Sequence, residues 1–191
     1  LFGRIDGEVQ FCIVKTKVIF VAIGAAAYPL VGNVLDPCIN NGLHKAHMAF
    51  FGDVDAVFKI GVTGGIGSGK STVCELLRDR GVAVYDSDSR AKQLMAESEA
   101  LREQLIAAFG AECYNAEGLD RAFLASKVFG NEEALQQLNS IVHPAVRADF
   151  QAWAEQQQSP YVVLESAILF EAGFETEVDA TLAVMAPMPM R

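Results

Sequence analysis

No Cys-x-x-Cys pair occurs in the chain, and its three histidines do not complete a zinc-ligand spacing, so a zinc site is not expected. The four cysteines, Cys12, Cys38, Cys74 and Cys113, then read as free, buried or half-buried thiols of a reducing compartment. Basic residues are scarce: 15 Lys and Arg against 24 Asp and Glu leave a formal charge of -9. This balance argues against general nucleic-acid binding, which needs a broad basic face to displace counterions. A phosphorylated small molecule is still allowed, because a few local cations and backbone N–H groups can line a positive pocket in an acidic protein. Internal repeats and low-complexity segments are absent. With 51% hydrophobic and 20% charged residues, the chain is no disordered tail. Its 191 residues suffice for one α/β domain with additions.

The sharpest pattern begins at Val57. Val57-Phe58-Lys59-Ile60-Gly61-Val62-Thr63 is β-branched and aromatic, the composition of a buried strand. Gly64-Gly65-Ile66-Gly67-Ser68-Gly69-Lys70-Ser71-Thr72 follows and fits G-x-x-x-x-G-K-[ST]. Val73 to Arg80 then has helical character, with Gly81 suited to its stop. Glycine in the loop permits backbone angles closed to other residues, so that successive N–H groups from Gly65 to Thr72 turn onto an anion. The following helix aims its positive end at the same point. Lys70 adds a mobile charge for the β- and γ-phosphates of ATP, and the Ser71 hydroxyl is suited to ligate Mg²⁺. The competing reading is a glycine-rich connector, but strand, loop and helix are all present in order.

A second strand, Val82 to Tyr85, leads into Asp86-Ser87-Asp88. In a parallel sheet this places two carboxylates at the strand's carboxyl end, where such folds bind ligands. There a carboxylate serves as a base or helps hold Mg²⁺; alternatively the pair caps a helix starting near Ser89. Spacing alone leaves both open. Farther on, Leu101, Leu105, Ile106 and Phe109 share a helical face, as do Leu135, Leu138, Val142, Val146, Phe150 and Trp153. Pro144 predicts a break or fresh helix start at His143. A lone histidine there is usually structural, and Arg121 is either an acceptor-phosphate partner or a solvated charge. Tyr161 to Glu165 reads as a strand whose closing acid either approaches the metal or marks the strand's end. Thr181 to Ala186 reads as another strand.

From Gly61 to Thr72, and again from Gly81 to Asp88, the chain resembles the opening of the dephospho-coenzyme A kinases, whose loop is typically TGGIGSGKST and whose second strand ends in Asp-x-Asp. Leu119-Asp120-Arg121, His143-Pro144 and Ile168-Leu169-Phe170-Glu171 resemble further elements of that family, although Ala167 stands where proline is usual. Agreement runs from about Lys59 to Arg191. The resemblance implies a P-loop NTPase-type α/β fold with a parallel sheet, helices on both faces and a helical acceptor-binding insertion between Ser89 and Gln158. It implies transfer of the ATP γ-phosphate to the 3'-hydroxyl of dephospho-coenzyme A. Asp88 would then be the base, Lys70 the phosphate clamp, Ser71 the Mg²⁺ ligand, and Asp86, Arg121 and His143 acceptor-site residues.

Leu1 and Arg191 read as cut ends, and in the family an arginine-rich lid follows the last strand, so this chain is expected to turn over slowly or not at all. Val18 to Leu35 carries no charge and follows Lys15 and Lys17, the outline of a signal peptide or marginal membrane span. Gly24, Pro29, Gly32 and Asn33 make it a poor span. Residues 1–47 are therefore expected to be an appendage to a kinase domain over 48–191, with Met48 a natural start and the protein cytoplasmic. Three rivals remain: a nucleoside or nucleotide kinase, a GTP switch (no Asn-Lys-x-Asp is found), and a non-catalytic ATP-binding fragment.

Overall fold

The computed structural model describes residues 57–185 together with three earlier strands at 2–5, 9–14 and 17–23. In chain order the larger elements are β1 (Phe2–Ile5), β2 (Val9–Val14), β3 (Lys17–Ile23), β4 (Phe58–Thr63), α1 (Lys70–Asp79), β5 (Ala83–Asp86), α2 (Ser87–Glu97), α3 (Glu99–Phe109), β6 (Tyr114–Asn115), β7 (Gly118–Leu119), α4 (Arg121–Val128), α5 (Glu132–Glu155), β8 (Tyr161–Glu165) and β9 (Ala180–Met185). They fall into two compact units, Leu1–Tyr85 with Ala154–Arg191, and Asp86–Trp153.

The first unit is built on a sheet of order β1-β2-β3-β9-β4-β8-β5. Pairing is parallel from β3 through β9 and β4 to β8, and antiparallel in β1-β2 and β2-β3. The α/β expectation holds, but the sheet is mixed rather than wholly parallel, because the first three strands run back and forth beside it. Ile60, Val62, Val162, Val163 and Val184 are essentially inaccessible. A run buried on both faces is why these strands read as continuous hydrophobic stretches rather than alternations, and each such side chain contributes about 1.5–3 kcal/mol on burial. Val73, Cys74 and Leu77 of α1 join the same core. Helix α1 ends where expected: Gly81 has φ 81°, its N–H donates to Arg78 O, and Val82 N–H donates to Leu77 O at 3.0 Å. That reciprocal pair satisfies the last carbonyls and brings buried Val82 onto Leu77.

Part of the charge-free run is strand: Val18–Ile23 of β3 lies parallel to β9. Residues 24–35, Met48 and the boundary at 47/48 lie outside the described residues, as does Cys38. No helix among the described residues is long and apolar enough to cross a membrane.

The second unit is mainly helical, as expected, with Leu101, Leu105, Val142, Val146 and Phe150 buried in it. Arg90 and Asp149 form a paired contact, Nε to Oδ2 at 2.9 Å and Nη2 to Oδ1 at 2.6 Å, which joins α2 to α5. One expectation is corrected, and two features were not foreseen. The β6-β7 hairpin was not anticipated; an Asn115 side chain accepting Glu117 N–H at 2.8 Å and Gly118 at φ 112° close its turn. Leu135, on the same helical face as Val142, Val146 and Phe150 by spacing, is 44% exposed, at the first turns of α5. And α5 does not break at Pro144: it runs unbroken from Glu132 to Glu155. Pro144 is exposed, so its ring sits on the solvent side while Val142, Val146 and Phe150 hold the buried stripe in helical register.

Candidate active site

The residues after β4 enclose a concave cavity of about 330 Å³, lined by Gly64 to Thr72 and by Ala167. Its shape follows from the glycines. Gly67 and Gly69 have φ 75° and 87°, a region costly for any side chain. At Gly64 the constraint is space: a Cβ there would stand 2.5 Å from Val184 O and 2.6 Å from Ser68 Oγ. Ser68 N–H donates to Gly65 O at 3.0 Å and closes the loop, while the Ser68 hydroxyl is buried with no hydrogen-bond partner among the described residues. Gly69 caps α1 without a side chain, leaving the first N–H groups of the helix at the cavity. Ile66 is fully exposed at the loop's outer turn.

Lys70 and Ser71 open α1 at the cavity's rim. Lys70 Nζ donates to Glu165 Oε1 at 2.7 Å, and the Ser71 hydroxyl approaches the same oxygen at 3.4 Å. Glu165 closes β8 and is 5% exposed. Its other oxygen, Oε2, lies 3.4 Å from Arg78 Nη2. The thiol of Cys74 neighbours Glu165, and its pKa is pushed up to about 12, first by burial and then by that carboxylate. The arrangement concentrates two cations, a hydroxyl and a helix N-terminus around one buried carboxylate, beside a cavity of inward backbone, a setting suited to a polyanion.

All of Gly65 to Thr72 thus come together. The other four candidates, Asp86, Asp88, Arg121 and His143, belong to the second unit. Asp86 caps α2: Oδ1 accepts from Asp88 N–H and Ser89 N–H at 3.0 and 3.1 Å, and Oδ2 from the Ser89 hydroxyl at 2.7 Å. Asp88 is exposed in the first turn of α2, its carboxylate making no hydrogen bond or ion pair among the described residues. Arg121 is exposed at the start of α4, where Asp120 is the cap. His143 is half-buried in α5, its pKa lowered by burial and by Arg147 one turn on. Ala167, Cys74 and Arg78 were not among the expected site residues, and Glu165 was read only as a strand end or metal neighbour. A signal existed: Lys70, Cys74 and Arg78 recur every four residues and so share one face of α1.

A glycine-rich loop between a buried parallel strand and a helix, with Lys and Ser at the helix start, defines a P-loop nucleotide-binding domain of the α/β class. The family model Dephospho-CoA kinase (CoaE) matches residues 58–191, and the chain belongs to that family. It is 44% identical over 132 residues to a dephospho-CoA kinase of Porphyromonas gingivalis, covering 69% of this chain and 65% of that protein. A dephospho-CoA kinase of Salinibacter ruber is 46% identical, covering 67% and 66%. The chain therefore spans just under two thirds of the length of these relatives. Among solved structures, TT1252 from Thermus thermophilus is 40% identical with a TM-score of 0.61, over 71% of this chain and 69% of that one.

Proposed function

We propose that the protein is a dephospho-CoA kinase that transfers the γ-phosphoryl group of ATP to the 3'-hydroxyl of dephospho-CoA, the closing step of coenzyme A synthesis. The observation that carries this reading is the coincidence of the glycine-lined cavity with the family match, since residues 58–191 include every residue of the loop and Glu165. Lys70 would draw the β- and γ-phosphates into the cavity, and the N–H groups of residues 65–72 would hold their oxygens. Asp88, exposed and unpaired among the described residues, would accept the proton of the attacking hydroxyl. Asp86, which already orders the start of α2, would position Asp88; Arg121 and His143 would contact the acceptor.

The oxygen donors at the rim fit Mg²⁺, a hard cation satisfied by hydroxyl, carboxylate and phosphate oxygens. Ser71 would ligate it, with Glu165 beside it; among the described residues no cluster of three or more His, Cys, Asp or Glu forms a cage of its own. Mg²⁺ would neutralise phosphate charge. The free, buried thiols of Cys74 and Cys113 accord with a cytoplasmic location.

The test incubates the protein with ATP, Mg²⁺ and, separately, dephospho-CoA, adenosine and AMP, with products followed by mass spectrometry. Gain of one phosphoryl group by dephospho-CoA in preference to the others is expected. Preference for a nucleoside or nucleotide would overturn the assignment in favour of a different P-loop kinase.

A further inference from the structure

The carboxylate of Glu165 is held from two sides. Lys70 Nζ and the Ser71 hydroxyl meet Oε1, whereas Arg78 Nη2 meets Oε2 from one face of the same helix. Because Glu165 is buried, its attraction for Lys70 is poorly screened. A phosphate group that recruits Lys70 must draw it from this carboxylate, and a buried carboxylate stripped of its cation is costly. We propose that Arg78 is a positioning residue for phosphate binding, acting through Glu165 rather than on the phosphate. Its charge on Oε2 weakens the hold of Glu165 on Lys70 in the free protein. When Lys70 turns to phosphate, Arg78 keeps Glu165 paired. Arg78 is 40% exposed and sits in the last turn of α1, two turns beyond the cavity, so it can follow small shifts of the carboxylate. The inference rests on the phosphate-binding reading of the loop.

The experiment measures binding of ATP, tripolyphosphate and adenosine by titration calorimetry in magnesium-free buffer. The proteins are wild type, R78M, R78Q, R78K, E165Q and the double variant R78M/E165Q, each checked for folding by thermal melting. Loss of a hydrogen bond to a charged group predicts weaker binding of ATP and tripolyphosphate by R78M and R78Q, on the order of tenfold. Adenosine binding should stay unchanged, and R78K should recover most of the loss. In the E165Q background the R78M change should shrink to less than about twofold, since the coupled partner is gone. R78Q stands in for R78M should the latter fail to fold. Wild-type affinity in both R78M and R78Q, or an equal loss with and without Glu165, overturns the inference while leaving the phosphate-binding reading intact. Should the wild type bind neither ATP nor tripolyphosphate, that reading fails and the inference falls with it.

Discussion

Cys74 lies in the wall of the first unit's core and against Glu165, and both neighbours oppose a thiolate. Its folded pKa of about 12 stands above the ordinary thiol value of 9.0. The sign follows from linkage: between those values the unfolded chain has released the proton and the folded one retains it. The stabilising contribution is therefore complete below pH 9 and is lost as pH rises towards 12. Unfolding free energy, from urea titrations at pH 8.5, 9.5 and 10.5, should fall more steeply in wild type than in C74A. The difference should approach about 1.4 kcal/mol per pH unit, the limit for one proton; equal slopes would refute the assignment. At this scale the loop was legible from the chain, because Gly67 and Gly69 adopt positive φ, costly for other residues, and Gly64 has no space for a Cβ. Asp86 was not: capping and ligand binding call for the same residue type at the same spacing, and only the observed bonds to Asp88, Ser89 and its hydroxyl identify the cap.

The strands β4, β5, β8 and β9 stand within a residue of where the pattern puts them, whereas β1 to β3 and the β6-β7 hairpin were not read as strands. Tyr161–Glu165 is reproduced without a shift, and β4 and β9 each begin one residue from expectation. Local signals sufficed there because buried parallel strands are unbroken apolar runs. Among the helices, α5 departs from expectation. Proline removes the N–H that would reach Ser140 O and presses its ring on that carbonyl, a local cost that predicts a break. Burial of Val142, Val146 and Phe150 outweighs it. Replacing Pro144 by alanine should thus restore one helical hydrogen bond and raise stability by about 1–3 kcal/mol, read from the urea midpoint. A lowered midpoint would mean that the proline stabilises the helix in this setting.

At the scale of the whole chain, β9 is paired on both sides, by β4 and by Val18–Ile23 of β3. A chain beginning at residue 24 would leave Ala180–Met185 as a bare parallel edge of six residues. Exposed edges invite intermolecular pairing, so this shortened chain should lose stability by a few kcal/mol and form oligomers that light scattering after gel filtration detects. A monomeric shortened chain with unchanged melting temperature would show that the first strands add nothing to the sheet.

By itself the chain determined the α/β class, the strand-loop-helix that forms the cavity, and the family, since each depends on short-range pattern: glycine where φ is positive, apolar runs where strands are buried, Lys and Ser at a helix start. Tertiary structure decided the rest. Glu165 lies 95 residues from Lys70 in sequence and meets it only because β8 pairs beside β4. Likewise Val18–Ile23, read as part of a charge-free run, becomes a strand because β9 offers it a row of unpaired backbone groups. Contacts between distant segments are chosen by which surfaces the fold leaves to be paired or neutralised, and no local stretch of residues carries that choice.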